Sequence, residues 1–94
     1  MVVGILSVSL RIPSSNSLKD KRQVLRSLKD KIRGKFNVSV AEVGSQDVWR
    51  SAELGITGVS GDKLFMEKEM ARILNLIDAR NDLEITDHSL EYIQ

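Results

Sequence analysis

Hydrophobic positions along this chain recur first at every second residue and then at every third or fourth, and the two periods alternate to the end. From Val2 to Ile12 the residues Leu6, Val8, Leu10 and Ile12 fall on one side and Ser7, Ser9 and Arg11 on the other, which predicts a half-buried strand. Pro13 ends it, Ser14-Ser15-Asn16 makes a polar loop, and Ser17 is placed to cap a helix. Residues 17 to 36, SLKDKRQVLRSLKDKIRGKF, then carry Leu18, Leu25, Leu28, Ile32 and Phe36 on one stripe, with Val24 at its border. Asp20 adds favourable charge near the helix start.

Val38 to Val43 reads as a second strand, Gly44-Ser45-Gln46-Asp47 as a turn, and Ala52 to Val59 as a third strand with Leu54 and Ile56 inward. The pair makes a hairpin. Asp62 caps a second helix, Lys63 to about Arg80, which keeps Met66, Met70, Ile73 and Ile77 on one face beside Leu74. Leu83 and Ile85 are out of phase with Leu90 and Tyr92, so a last strand with a bulge near His88 is expected. The order βαββαβ, with right-handed crossovers, places both helices on one face of a four-stranded antiparallel sheet: an α+β, ferredoxin-like fold, forming a single domain over residues 1–94.

Composition adds limits rather than a function. Hydrophobic content of 41% with 29% charged residues is ordinary for a soluble domain. No apolar run has the length of a membrane span, and no targeting segment or membrane partner is expected. The absence of cysteine removes disulfides, thiolate metal sites and a cysteine nucleophile, and cytoplasm is the expected compartment. The net charge of +1 hides a separation: residues 1–41 hold nine Lys/Arg against two acids and residues 42–94 hold five against eleven, so the halves carry +7 and −6.

Most of that positive charge lies on the first helix. Lys19, Arg22, Arg26, Lys29 and Arg33 share one arc of its wheel, a row that suits a sugar-phosphate backbone because successive cations sit about one turn apart and need no base readout. The bland alternative is a solvated face, with Asp30 available to Arg26 and Arg33. Ser15, Asn16 and Ser17 precede the helix N-terminus and form a possible anion loop, though the glycines of a phosphate cradle are missing and ordinary capping explains them. Ser7, Ser9, Glu53 and Thr57 would occupy the open sheet face, which therefore has no aromatic platform for stacked bases. Trp49, at the hairpin tip, is expected to fold back over its own sheet, with stacking on a base or anchoring a second subunit as its alternatives.

Catalytic and metal chemistry find little support. His88 is the lone histidine, and Glu67, Glu69, Asp78 and Asp82 are dispersed along a helix of mixed charge, so neither a metal nor a cofactor is expected. Glu42 and Glu53 could face each other across the hairpin, which reads as a polar edge. Arg11 and Asn16 occupy the loop where small acyl phosphatases of the same fold bind phosphate, but the glycine-rich cradle and catalytic asparagine are absent.

The segments GILSVSLRIPSSNSLKDKR, VLRSLKDKIRGKFNVSVAEVG and QDVWRSAELGITGVS together resemble the bacterial YlxP-like family of small proteins of unknown function, over about residues 2 to 61. The resemblance implies a ferredoxin-like fold and genes that often neighbour those for translation initiation and ribosome-binding factors. It supplies no catalytic residue. Two expectations follow: a non-enzymatic domain that contacts RNA or a ribosomal particle through the basic flank, or a homodimeric interaction module that uses the open sheet face and Trp49 without nucleic acid.

Overall fold

The computed structural model describes residues 1–94, with elements β1 (Val2–Arg11), α1 (Leu18–Lys35), β2 (Ser39–Gly44), β3 (Ser51–Ser60), α2 (Lys63–Asp78) and β4 (Glu84–Ile93). The strands form one antiparallel sheet in the order β2-β3-β1-β4, the ferredoxin-like arrangement. Both helices start where the sequence places a cap. Ser17 accepts the Asp20 N–H at 3.1 Å, and Asp62 accepts the Leu64 N–H at 2.9 Å, each satisfying a donor that the first turn leaves open.

One face of the sheet carries the core. Leu6, Val8 and Leu10 of β1, Leu54 and Ile56 of β3, Leu25, Leu28 and Ile32 of α1, and Met66, Met70, Ile73 and Ile77 of α2 are all buried, as the two periods predict. At about 25 cal/mol per Å² this burial is the main favourable term in a domain of this size. Gly4 and Gly58, paired across the central strands, leave room for α2 and for the segment leading into β2, respectively. A methyl on Gly4 would stand 2.8 Å from Met70 Cε, and one on Gly58 would stand 3.0 Å from Val38. Both strands therefore use glycine to admit large side chains from the elements around them.

The irregularity of β4 lies at Thr86, two residues before His88. Ser9 pairs with Asp87 and Leu10 with Ile85, so Thr86 is the extra residue, and its hydroxyl donates to the Ser9 carbonyl at 3.1 Å. That bulge brings Ile85 on one side and Tyr92 on the other to the same face, which accounts for the broken phase. A second bulge makes Val43 the extra residue between Glu42 and Gly44 in β2. Glu42 pairs with Leu54 and turns to the helix side, whereas Glu53 pairs with Ser9 and is exposed on the open face. The two carboxylates do not face each other.

Candidate nucleic-acid interface

The basic row is present as a surface. Lys19, Arg22, Arg26 and Arg33 are exposed, Lys29 is half-buried, and none of the five stands within salt-bridge distance of an acid. Arg22, Arg26, Lys29 and Arg33 line a groove of about 380 Å³ between α1 and the β2 edge, together with Leu25, Asp30 and Glu42. Arg33 also donates to the Val40 carbonyl at 2.7 Å. That contact orients the guanidinium against a neutral acceptor and leaves its charge uncompensated. Asp30 is the groove's one unpaired acid, because Glu42 is engaged elsewhere.

Glu42 belongs to Lys21, a cation outside the basic row. Lys21 is 1% exposed. Its Nζ donates to the Ser45 carbonyl at 2.6 Å and to the Val48 carbonyl at 2.8 Å, and lies 2.8 Å from Glu42 Oε2. The last approach is short but misaligned, and Glu42 Oε2 completes no hydrogen bond, so the attraction there is Coulombic. Lys21 thus pins the β2–β3 turn to the start of α1. The signal was its register: Lys21, Leu25, Leu28 and Ile32 follow one helical stripe, and all are buried.

A second clamp uses the loop proposed for anions. Arg50 donates from Nε to the Ser15 carbonyl at 2.9 Å and from a terminal nitrogen to Asn16 Oδ1 at 3.1 Å. The Asn16 N–H donates to Asp20 Oδ2 at 3.0 Å, and the buried Ser15 hydroxyl donates to the Ser17 carbonyl at 3.0 Å. Ser15 and Asn16 therefore present acceptors to a guanidinium, and a carboxylate from the helix's own first turn takes the Asn16 donor. This is the reverse of what a bound anion needs, so the loop is a structural brace, and Ser15, Asn16 and Ser17 leave the candidate site.

Trp49 does not fold over the sheet. It is 53% exposed in the turn that Lys21 and Arg50 hold, next to the half-exposed Val48. Arg11 also leaves the loop reading, since it pairs with Glu84 across the β1–β4 edge at 2.6 Å. His88 pairs in register with Val8 and is exposed, and no three His, Asp or Glu side chains come together. No helix is long and apolar enough to cross a membrane.

The chain matches a protein family described as a protein of unknown function, DUF503, over residues 3–90. It is also 38% identical over 85 residues to the uncharacterized protein YlxP of Bacillus subtilis (strain 168), covering 90% of this chain and 92% of that one. The chain belongs to the DUF503 family. Solved structures add the fold of this DUF503 member. A Deinococcus radiodurans protein, provisionally described as an antibiotic biosynthesis monooxygenase, superposes with a TM-score of 0.58 at 22% identity, over 100% of this chain and 91% of its own. The de novo designed protein Foldit4 follows with a TM-score of 0.54 at 14% identity, over 98% and 97%. At such identities the likeness concerns backbone architecture, and a DUF503 function has to be argued from side chains.

One titrating pair closes the far side of α1. Arg80, just beyond α2, donates to both oxygens of Asp82 at 2.9 and 2.6 Å, which holds the Asp82 carboxyl below the ordinary value of 3.8 and the Arg80 guanidinium above its own. A depressed carboxylate stabilises the fold fully above its unfolded value and loses that contribution as pH falls through its folded value. Thermal melts of Asp82→Asn are therefore expected to fall less steeply than wild type below about pH 4, with the two profiles parallel above it. Equal slopes at acid pH would contradict the pairing.

Proposed function

We propose that this DUF503 protein is a non-enzymatic, cytoplasmic domain that binds RNA, free or in a ribosomal particle, through the phosphate backbone along the outer flank of α1. One observation supports the reading above the rest: four cations share a groove with a single unpaired acid, while the nearest other carboxylate, Glu42, is held by buried Lys21. A merely solvated helix face would pair or scatter such charges. The groove has no aromatic residue, so the contact is to phosphates and carries little base information.

Binding of a short labelled RNA, followed by anisotropy at increasing salt, tests this. With about three or four phosphates engaged, log affinity should fall against log salt with a slope of about −2 to −4, or roughly tenfold to several hundredfold between 50 and 200 mM. A flat response would reject the proposal.

A second reading rests on the open sheet face, where Val43, Val59 and Ile93 are at least half-exposed. In register they join the half-buried Val3 and Ile5, and Val43 lies over Gly55, so the partner that fits is a second copy laid face to face about a twofold axis, with exposed Trp49 at the rim. Three strands of ten residues and one of six give a face on the order of 600 Å², the small end of what each partner gives to a stable interface. That area ranks this reading second. Sedimentation velocity over a concentration series decides it: a dimer weakened by Trp49→Ala supports it, and a monomer throughout removes it.

A further inference from the structure

The opposite flank of α1 faces α2, and it too is cationic. Lys31 and Lys35 of α1 join Arg72 and Arg80 around a groove of about 440 Å³ whose apolar lining includes Phe36 and Leu76. An adjoining hollow of about 350 Å³ continues it past Ser27. The four charges are not equally free. Arg80 is committed to Asp82, and Arg72 lies 3.8 Å from Glu69, whereas Lys31 and Lys35 are exposed and form no salt bridge, although Asp82 lines the adjoining hollow with Lys31 and feels its charge. Between the two grooves, the outward crest of α1 carries Gln23, Ser27, Asp30 and Gly34, which are uncharged apart from Asp30. Gly34 has open space around it and no positive φ, so neither packing nor backbone geometry calls for glycine at that point.

We infer that α1 straddles duplex RNA, with the Arg22–Arg33 flank on the phosphates of one strand and Lys31 and Lys35 on those of the other. This rests on the RNA reading above and extends it from one strand to two. A helix with its side chains is about 10–12 Å across, so its two flanks present cations as parallel rows separated by a low crest. The rows suit two strands bordering a wide, shallow groove, which is the minor groove of A-form RNA. The B-form major groove is about 8.5 Å deep and requires a protruding helix carrying base-reading side chains. Here α1 lies in a layer beside α2 and the β2 edge, and its crest offers a base only Gln23, with no arginine or asparagine.

The experiment compares one RNA sequence as a single strand, as a duplex with its complement, and as the DNA duplex, against wild type, Arg26→Glu/Lys29→Glu and Lys31→Gln/Lys35→Gln. The expected result is a duplex RNA affinity at least about tenfold above the single strand at 100 mM salt, with a salt slope steeper by about 1–2. Lys31→Gln/Lys35→Gln should remove that advantage while leaving single-strand binding unchanged, which also shows that the variant is folded. Equal affinity for single strand and duplex, or for RNA and DNA duplexes, overturns the inference. If Arg26→Glu/Lys29→Glu still abolishes single-strand binding in that case, the outer-flank reading survives alone. Absence of binding to every probe overturns both.

Discussion

Lys21→Ala is expected to be the most damaging substitution of a charged residue in this protein, lowering stability by about 3 kcal/mol. Removing one partner of a buried ion pair typically costs about 3–5 kcal/mol, because the other charge stays in place without its counterion. The lower end applies because Glu42 keeps 21% of its side chain in water and can recover part of its hydration. The Val48 carbonyl also loses its ammonium donor, whereas the Ser45 carbonyl keeps the Val48 N–H at 3.1 Å. For a domain of 94 residues such a loss lowers the melting temperature on the order of 20 °C. Lys21→Met/Glu42→Leu should recover part of it, since removing both charges leaves neither buried alone. Denaturant midpoints of the two variants check this. A Lys21→Ala unfolding free energy within about 0.5 kcal/mol of wild type would show that the ammonium contributes little and the hairpin is held by other contacts.

Reversing two charges on the outer flank should have the opposite profile. Arg26→Glu/Lys29→Glu is expected to weaken RNA binding about 30- to 100-fold at 100 mM salt, because each phosphate contact contributes about 0.7–0.9 of a decade per tenfold change in salt and the reversed charges add repulsion. The salt slope should become shallower by about 2. Stability should hardly move, since neither residue has a salt-bridge partner and exposed helix charges contribute little to folding. Lys21→Ala and this double variant therefore separate the two uses to which α1 puts its cations. One is spent inside on the fold, and the others remain outside for a ligand.

That division also marks how far the sequence could be read. Element order, caps and the buried faces were legible because each depends on local periodicity: the stripe through Leu25, Leu28 and Ile32 and the alternation through Leu6, Val8 and Leu10 need no knowledge of neighbours. Features that depend on register were not. The β2 bulge, which makes Val43 an extra residue between Glu42 and Gly44, is announced by no local pattern, whereas Glu42 shares the helix side with Val40, and Glu53 takes the open face, by plain alternation. Trp49 was expected against the sheet but lies half-exposed, because Lys21 and Arg50 fix the turn from the helix side. The proposed anion loop failed for a related reason: Arg50, distant in sequence, takes the Ser15 and Asn16 acceptors. Lys21 is the instructive case. Its place on the apolar stripe was visible, but lysine there reads as a border residue until two carbonyls and a carboxylate from the hairpin are seen converging on its ammonium group.

Glu42 pairs with Lys21, Asp82 with Arg80 and Glu84 with Arg11, and no acid forms a salt bridge with the outer flank. Binding through that flank requires RNA to meet it in the cell. Ultraviolet crosslinking in living cells, followed by sequencing of RNA attached to wild type and to Arg26→Glu/Lys29→Glu, tests it most directly. Recovery of RNA on the wild-type protein with a steep drop for the double variant at equal protein level is the predicted result. No attached RNA, or equal recovery from both proteins, would contradict it.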